Sequence, residues 1–313
     1  MKLLFKFFVL ILPFVSFSQT DTFSKEEIVI SDLIKGDLYT PKEENNKKAL
    51  ILLLAGSGPT NRNGNQLGAQ NNSLKYLAED LANNGYNVFT YDKRIFAQLI
   101  LGNTNETEAR FEDLITDASG VVDYFRKNRK YKKYIIAGHS EGALVGMLTA
   151  QHKKADAFIS LAGAGRPIDE IVVEQIEKRS PSFKETATAY FKILKEGKTF
   201  KNETPALQNL FRESVQPYLI SWLKYNPQEE IKKLKCPTLL INGDKDLQVV
   251  PKDAELLKQA KKDSELVILK NMNHVFKTIL GDEKENMESY SNLNIRNHPE
   301  LSTTIVKFLN TKL

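Results

Sequence analysis

Residues 132–151 read KKYIIAGHSEGALVGMLTAQ and combine an apolar run, a serine between two glycines and a second apolar segment. Residues 132–137 are an apolar run typical of a buried strand, and residues 143–151 continue as a predicted helix. Between them GHSEG, residues 138–142, matches the pattern G-x-S-x-G. In that pattern the serine sits on a sharp, strained strand-to-helix turn that projects its hydroxyl clear of the sheet. The flanking strand and helix favour Ser140 as a nucleophile over an idle serine in a glycine-rich turn.

Strand-like and helical patterns alternate on both sides of this stretch. The clearest strand-like runs are residues 49–54, 86–91, 157–161, 238–242 and 265–269, and shorter ones are residues 27–30 and 34–39. Helical spacing of apolar residues separates several of them, as in Leu74, Leu77, Ala78 and Leu81. This alternation predicts an α/β fold whose mostly parallel sheet carries helices on both faces.

The alternation stops after Gly165. Residues 166–235 show helical patterns and no convincing strand, and the strand rhythm resumes after Pro237. We therefore expect a core of residues 19–165 and 236–313, interrupted by a helical lid over residues 166–235. The lid aromatics Trp222, Phe191 and Tyr218 are candidates to face a substrate pocket, although packing within the lid is the plainer role for each.

The N-terminus has the composition of an export signal. Lys2 and Lys6 are its only charged side chains before Asp21, an apolar run extends to Val15, and small residues follow. We expect residues 1–18 to be a cleaved signal peptide and the mature protein to be periplasmic or secreted. The alternative is an uncleaved anchor, but the run is short for a bilayer span of about 20 residues.

Composition excludes several classes of function. Hydrophobic residues make up 41% and charged residues 27% of the chain, which is ordinary for a globular protein. The net charge of +5 includes two lysines of the predicted signal, and so small a charge does not indicate nucleic-acid binding. The single cysteine, Cys236, cannot form an intramolecular disulfide. Metal-ligand spacing is not seen, and we expect no metal and no organic cofactor.

A serine nucleophile needs a histidine base, and the sequence offers four histidines. His139 lies beside the serine in the turn and is expected to point elsewhere, and His152 ends the following helix. His274 follows the strand-like run 265–269 at the expected carboxyl edge of the sheet. It is our candidate base, with His298 in reserve and a surface-loop histidine as the plainer reading.

The acid that orients the histidine should follow the preceding strand, because this class of site has the chain order serine, acid, histidine. Residues 238–242 lead into Gly243-Asp244-Lys245-Asp246. From these residues alone either aspartate fits the position.

Acyl transfer also needs two donors for the developing oxyanion. One is the backbone N–H of Glu141, directly after the nucleophile. The other is expected from the loop after residues 49–54, where Gly56-Ser57-Gly58 can bring bare backbone close to a ligand. We assign the Ser57 N–H to this role, against the alternative of an ordinary glycine turn.

Six segments together resemble an α/β-hydrolase esterase of the serine aminopeptidase-like or dienelactone-hydrolase-like group. They are residues 55–64, 91–94, 138–142, 161–167, 237–246 and 273–274, and the resemblance spans about residues 27–310. It implies the α/β-hydrolase fold with an eight-stranded sheet, a catalytic triad and a helical cap. The family pattern Gly-x-x-Asp implies that the acid is Asp246, with Asp244 as a turn residue.

Two departures from the family pattern stand out. Residues 91–94 are normally followed by a glycine-rich turn, but here Ile95-Phe96-Ala97 follow. Dienelactone hydrolases use a cysteine nucleophile, whereas this chain carries Ser140. The substrate is therefore not implied by the resemblance, because the family covers many chemistries.

The predicted function is hydrolysis of small-molecule carboxylic esters with small or medium acyl groups, through an acyl-enzyme on Ser140. No nucleic-acid partner and no stable membrane anchor after signal cleavage are expected, and the sequence leaves the oligomeric state open. One alternative is a serine aminopeptidase, in which Glu170, Glu174 or Glu177 of the lid would bind the free amine. Another is a non-catalytic binding protein on the same fold, which would have no need of all three triad residues.

Overall fold

A computed structural model describes residues 22–43 and 46–313. The predicted signal peptide, residues 1–18, lies outside the described residues and stays a prediction. Within the described ranges, no helix combines the length and the apolar composition that a membrane crossing requires.

One twisted sheet runs through the molecule. Its strands are β1 (Phe23–Val29), β2 (Lys35–Pro41), β3 (Ala49–Leu54), β4 (Asn87–Tyr91), β5 (Lys133–His139), β6 (Ala157–Leu161), β7 (Thr238–Gly243) and β8 (Glu265–Leu269). The strand order is β1-β2-β4-β3-β5-β6-β7-β8. β2 pairs antiparallel with β1 and β4, and the other five pairs are parallel. The predicted mostly parallel, eight-stranded sheet is confirmed.

Twelve α-helices of the described chain accompany the sheet. They are α1 (Ser73–Asn83), α2 (Arg94–Leu101), α3 (Phe111–Lys127), α4 (Glu141–Lys153), α5 (Ile168–Arg179), α6 (Lys184–Lys195), α7 (Gln208–Phe211), α8 (Gln216–Trp222), α9 (Pro227–Lys232), α10 (Pro251–Ala260), α11 (Glu283–Ser289) and α12 (Pro299–Lys312). Helices α1 and α12 contribute to one apolar layer, and α3, α4 and α10 contribute to the other.

Strand β3 shows how the sequence builds this three-layer structure. All six of its residues are buried, as expected for a parallel strand covered on both faces. Because side chains alternate along a strand, Ile51 and Leu53 pack in the layer of α1 and α12, whereas Leu52 and Leu54 pack in the layer of α3 and α4. Full burial of each such side chain contributes about 1.5–3 kcal/mol.

Helices α5 to α9 occupy the chain between β6 and β7, and this stretch contains no strand. Phe191 and Phe211 lie in a small core of the inserted helices themselves. The ring of Trp222 stacks on Phe111 of α3 at 5.3 Å between centroids. At the start of the insertion, the Arg166 guanidinium pairs with the buried carboxylate of Asp253. The insertion is therefore a folded body joined to the core at several points.

The parallel strands place their carboxyl ends at one edge of the sheet. The loops after β3, β5, β7 and β8 carry Ser57, Ser140, Asp246 and His274 respectively. Ligand sites of open α/β sheets lie at this edge. Four segments that are far apart in sequence are thus gathered into one region.

Candidate active site

Ser140 sits on a strained turn between β5 and α4. Its backbone has φ 55° and ψ −120°, a conformation that non-glycine residues rarely adopt. The Ser140 N–H donates to the carbonyl of Leu161 on the neighbouring strand at 2.9 Å, which holds the turn in place. Strain of this kind, on the order of 1–3 kcal/mol, persists where the surrounding structure enforces it and is typical of functional sites.

The two glycines of the GHSEG turn are required by close packing. A Cβ atom at Gly138 would lie 1.9 Å from the carbonyl oxygen of Gly142. A Cβ atom at Gly142 would lie 2.6 Å from the carbonyl oxygens of both Leu54 and Ala55. Any larger residue at either position would push α4 away from the strands, so the glycines set the sharpness of the turn that presents Ser140.

His274 and Asp246 form a buried hydrogen-bonded pair. Nδ1 of His274 lies 2.7 Å from Oδ2 of Asp246, and both side chains are almost fully buried. The other oxygen, Oδ1 of Asp246, accepts the backbone N–H groups of Gln248 and Val249 at 2.8 and 2.9 Å. Because the carboxylate only accepts, Nδ1 carries the ring proton when His274 is neutral, and Nε2 is left with a lone pair.

The rival candidates for base and acid lie elsewhere. Asp244 is exposed, and its carboxylate accepts the backbone N–H of Asn271, as a turn residue does. The structure thus places Asp246, and not Asp244, against His274. His298 caps the N-terminus of α12 by accepting the N–H of Glu300.

The loop that carries His274 is held by two buried polar side chains. Oδ1 of Asn273 accepts the backbone N–H groups of Val275 and Lys277, which closes the loop into a turn. Nε2 of His139 lies 2.8 Å from the carbonyl oxygen of His274. The expectation that His139 points away from the site is wrong, because its ring contacts the backbone of the candidate base.

Ser57 and Glu141 both have free backbone donors at the turn. No hydrogen bond within the described part of the chain uses the N–H of either residue. The carbonyl of Ser57 is engaged on its other side, by Nε2 of Gln66 at 2.6 Å and the hydroxyl of Thr60 at 3.1 Å. These contacts fix the peptide after Ser57. The peptide that carries the Ser57 N–H is held through its Gly56 carbonyl oxygen, which accepts from Nζ of Lys93 at 2.9 Å.

Arg62 anchors the loop that contains Ser57. Its Nε and Nη2 bond the carboxylate of Asp92 at 3.0 and 2.6 Å, and its Nη1 reaches Asp37 at 2.8 Å. Burial lowers the pKa of the Arg62 guanidinium, but hydrogen bonds to Asp92 and Asp37 raise it by more, so the pKa lies above its ordinary value. Both side-chain bonds to Asp92 end on its Oδ2, and its Oδ1 accepts the Arg62 backbone N–H at 2.8 Å. These charge-assisted bonds tie the loop to the ends of β2 and β4.

The side chain of Glu141 is locked beneath the same loop. Lys93 contacts it at 2.6 Å and also donates to the carbonyl of Gly56 at 2.9 Å. The hydroxyl of Tyr218 from the insertion donates to the other carboxylate oxygen at 2.6 Å. Burial, followed by the charge of Glu141, holds the pKa of Tyr218 well above its ordinary value, so Tyr218 stays a donor. Lys93 of this network lies in the segment Tyr91–Arg94. That segment was part of the family resemblance, but the sequence had not indicated a role for it.

Two chambers meet at Ser140 and Ser57. The histidine-side chamber, of about 270 Å³, is bordered by His274, Gln248 and Tyr290. The glutamate-side chamber, of about 230 Å³, is bordered by Glu141 and mainly by apolar residues. These are Leu144, Ala164, Ile168, Ile171, Val172, Leu210, Leu219, Trp222, Pro227 and Val249.

A third cavity of about 290 Å³ shares Ser57 and Glu141 with the glutamate-side chamber and adds Tyr218 to its lining. Of the three lid aromatics considered from sequence, Trp222 and Tyr218 border cavities, whereas Phe191 packs inside the insertion. Across the described ranges, no cluster of three or more His, Cys, Asp or Glu side chains is arranged to hold a metal ion.

Comparison with protein families and curated proteins gives two matches. Residues 67–209 match a family described as serine aminopeptidase, S33. The matched segment contains the Ser140 turn but neither Asp246 nor His274. Esterase EstD of Thermotoga maritima is 25% identical over 283 residues, which cover 86% of this chain. The chain spans 64% of the length of that curated relative.

Solved structures of the same architecture cover almost the whole chain. Est1E from Butyrivibrio proteoclasticus has a TM-score of 0.56 at 16% identity, covering 91% of this chain and 99% of its own. An esterase of Pyrococcus furiosus has a TM-score of 0.52 at 17% identity, covering 93% and 91% respectively. A dienelactone hydrolase from Anabaena variabilis has a TM-score of 0.52 at 16% identity, covering 93% and 97%. Identities this low establish the fold alone, and they confirm the predicted α/β-hydrolase fold.

Proposed function

Since this chain has the α/β-hydrolase fold, we propose that it is a serine hydrolase that cleaves carboxylic esters through a covalent acyl-enzyme on Ser140. The observation that carries the proposal is the buried His274–Asp246 pair, whose free Nε2 borders the same chamber as the strained Ser140. The similarity to Esterase EstD supports the choice of an ester as substrate.

The proposed reaction begins with Ser140. Its hydroxyl oxygen attacks the ester carbonyl carbon while Nε2 of His274 takes the hydroxyl proton. Asp246 keeps the ring in the required tautomer and stabilises the positive charge. The N–H groups of Ser57 and Glu141 bind the oxyanion, and His274 then returns the proton to the departing alcohol. Water, activated by the same imidazole, releases the acid and restores Ser140.

No hydrogen bond joins Ser140 to His274 in the described chain. Hydrogen bonds between nucleophile and base are often long without substrate and tighten in the complex. The lack of a Ser140–His274 hydrogen bond is therefore compatible with the proposed chemistry. The strained turn places Ser140 in the lining of the same chamber as His274.

The glutamate-side chamber suits an acyl group of small or medium size. Apolar side chains from α4, α5 and α8 line it, among them Leu144, Val172 and Leu219. Its two charged residues are neutralised, because Glu141 pairs with Lys93 at 2.6 Å and Arg166 with Asp253 at 2.8 Å. An apolar chain therefore finds apolar contacts and no unpaired charge there.

None of the three glutamates considered for the aminopeptidase alternative is both unpaired and in the lining of a chamber at Ser140. Glu174 is paired with both Arg166 and Lys178, and Glu177 is paired with Lys184. Glu170 is exposed and lies outside the lining of the chambers at Ser140. The carboxylates considered from sequence thus support an ester more than an N-terminal peptide.

The test is turnover of p-nitrophenyl esters graded by acyl length, alongside an aminoacyl p-nitroanilide. We expect ester hydrolysis without anilide cleavage. Ser140→Ala should abolish both turnover and covalent labelling by a fluorophosphonate, whereas Ser119→Ala on α3 should keep both. Anilide cleavage would favour the peptidase, and silence on every substrate from a folded protein would favour a binding protein.

A further inference from the structure

The two chambers at Ser140 differ in chemistry as well as in position. Both reach Ser57 and Ser140, but only the histidine-side chamber reaches His274, and only the glutamate-side chamber reaches Glu141. A substrate bound at Ser140 therefore has one half on each side of the nucleophile.

The position of His274 decides which half is which. In ester hydrolysis the imidazole returns its proton to the leaving alcohol, so the alcohol must lie on the histidine side. The acyl group remains on Ser140 and extends into the glutamate-side chamber. This assignment rests on the proposed function.

The histidine-side chamber is more polar than the glutamate-side chamber, although Ala69, Leu74 and Val275 also line it. No Lys, Arg, Asp or Glu lines it within the described residues. Its lining includes six hydroxyl and amide side chains, Thr60, Gln66, Asn71, Ser73, Gln248 and Tyr290. Groups of this kind recognise hydroxyls by hydrogen bonds and offer nothing to balance a charged ligand.

Tyr290 adds a buried hydroxyl to this set. Within the described chain that hydroxyl makes no hydrogen bond of good geometry. Burial raises the pKa of Tyr290, and a contact with the Gln248 side chain, which lines the same chamber, opposes the rise. The Tyr290 backbone is held by the amide of Asn71, which donates to the Tyr290 carbonyl at 3.2 Å. A buried hydroxyl left unpaired costs about 1–3 kcal/mol, and a ligand hydroxyl in the chamber would remove that cost.

We propose that the alcohol half of the substrate is a neutral polyol, such as a sugar or glycerol, esterified to an apolar acyl group. The polar chamber receives the polyol and the apolar chamber receives the acyl chain. An alkyl alcohol offers the Tyr290 hydroxyl no hydrogen-bond partner, which is the arrangement by which a polar site rejects an analogue without hydroxyls.

The test keeps the acyl group constant as butyrate and varies the alcohol. The substrates are methyl glucoside 6-butyrate, glycerol monobutyrate, hexyl butyrate and butyrylcholine. We expect kcat/KM for at least one polyol ester to exceed that for hexyl butyrate by about tenfold, the worth of one neutral hydrogen bond. The two polyol esters distinguish a sugar from glycerol. Preference for the hexyl or choline ester overturns the proposal, and no turnover of any ester overturns the proposed function instead.

Tyr290→Phe removes the hydroxyl and keeps the ring. We expect the polyol-to-hexyl ratio of kcat/KM to fall about tenfold. The matched control is Tyr131→Phe, which removes another buried, unpartnered hydroxyl, located beside Phe125 and Tyr134. That variant should keep the wild-type ratio. An unchanged ratio in the Tyr290 variant, or an equal fall in both variants, overturns the assignment.

Discussion

Nε2 of His139 lies 2.8 Å from the backbone carbonyl oxygen of His274, although the two residues are 135 positions apart. Because a carbonyl only accepts, Nε2 of His139 carries the proton. Burial, followed by the charge of His274, lowers the pKa of His139 to about 3, so its ring is neutral near pH 7. His139 thus positions the backbone of the proposed base, and Asp246 positions its ring.

We expect His139→Phe to lower kcat by roughly tenfold to a hundredfold with little change in KM, because small misplacement of a reacting group is costly. His139→Gln keeps an N–H donor at a similar distance and should recover part of the loss. Steady-state kinetics on one ester checks both variants. Equal losses in the two would mean that His139 acts through packing against Phe276 instead of through its hydrogen bond.

The lowered pKa of His139 also predicts a pH-dependent stability. In the unfolded chain His139 binds a proton below about pH 6.5, whereas in the folded chain it stays neutral down to about pH 3. The contribution of His139 to stability is therefore complete above the unfolded pKa and is lost as pH falls toward the folded one. The loss is at most about 1.4 kcal/mol per pH unit. Urea unfolding of wild type and His139→Gln between about pH 7 and pH 5 checks it; parallel curves would contradict the prediction.

Replacing the two aspartates after β7 should give opposite outcomes. Asp246→Asn disturbs the His274 tautomer and is expected to lower kcat by on the order of 10⁴ while the fold persists. Asp244→Asn weakens one turn contact, to Asn271, and should cost roughly 1 kcal/mol of stability with a near-normal rate. Comparing kcat and Tm for the pair tests the assignment, which fails if the Asp244 variant is the one that loses its rate.

Arg62→Met should destabilise the fold and impair the oxyanion loop together. Removing the guanidinium leaves the largely buried Asp92 without a counter-charge and Asp37 with Lys25 alone, and breaking a buried pair of this kind costs about 3–5 kcal/mol. The matched control is Arg296→Met, whose half-exposed guanidinium pairs with Glu79 and Asp80 at the surface. We expect that control to lose about 1 kcal/mol or less. Chemical denaturation checks both values, and similar losses would contradict the buried role of Arg62.

Val172→Trp should shorten the preferred acyl chain. Val172 lies on α5 and lines the glutamate-side chamber, so the larger ring would occupy space that a longer acyl group needs. We expect the ratio of kcat/KM for the octanoate ester to that for the acetate ester to fall by about tenfold or more. The reason is that a few methylene groups of the longer acyl chain would lose their contacts with the pocket. Glu177→Trp, an exposed position on the same helix, is the control. A Val172 variant that changes only Tm would make the insertion purely structural.

Several features of the fold followed from local sequence. The continuous apolar run of β3 predicted a strand buried on both faces, and every one of its residues is buried. The GHSEG pattern predicted the turn, because Gly138, Ser140 and Gly142 all lie within five consecutive residues. The lack of strand-like apolar runs over residues 166–235 likewise predicted that no strand would form there, and none does.

The sequence by itself thus determined the sheet, the serine turn and His274 as the candidate base, because period and motif spacing act over a few residues. Only the tertiary structure decided which side chains meet across the loops. The residues alone left Asp244 and Asp246 open, the family resemblance implied Asp246, and the structure places Asp246 against His274. The contact of His139 with the His274 carbonyl and the uncharged lining of the histidine-side chamber came from the structure alone. That chamber combines side chains from the loops after β3, β7 and α11, whose directions depend on long-range packing. The periodicity of apolar residues does not indicate where loop side chains point, because each loop is positioned by contacts with residues distant along the chain.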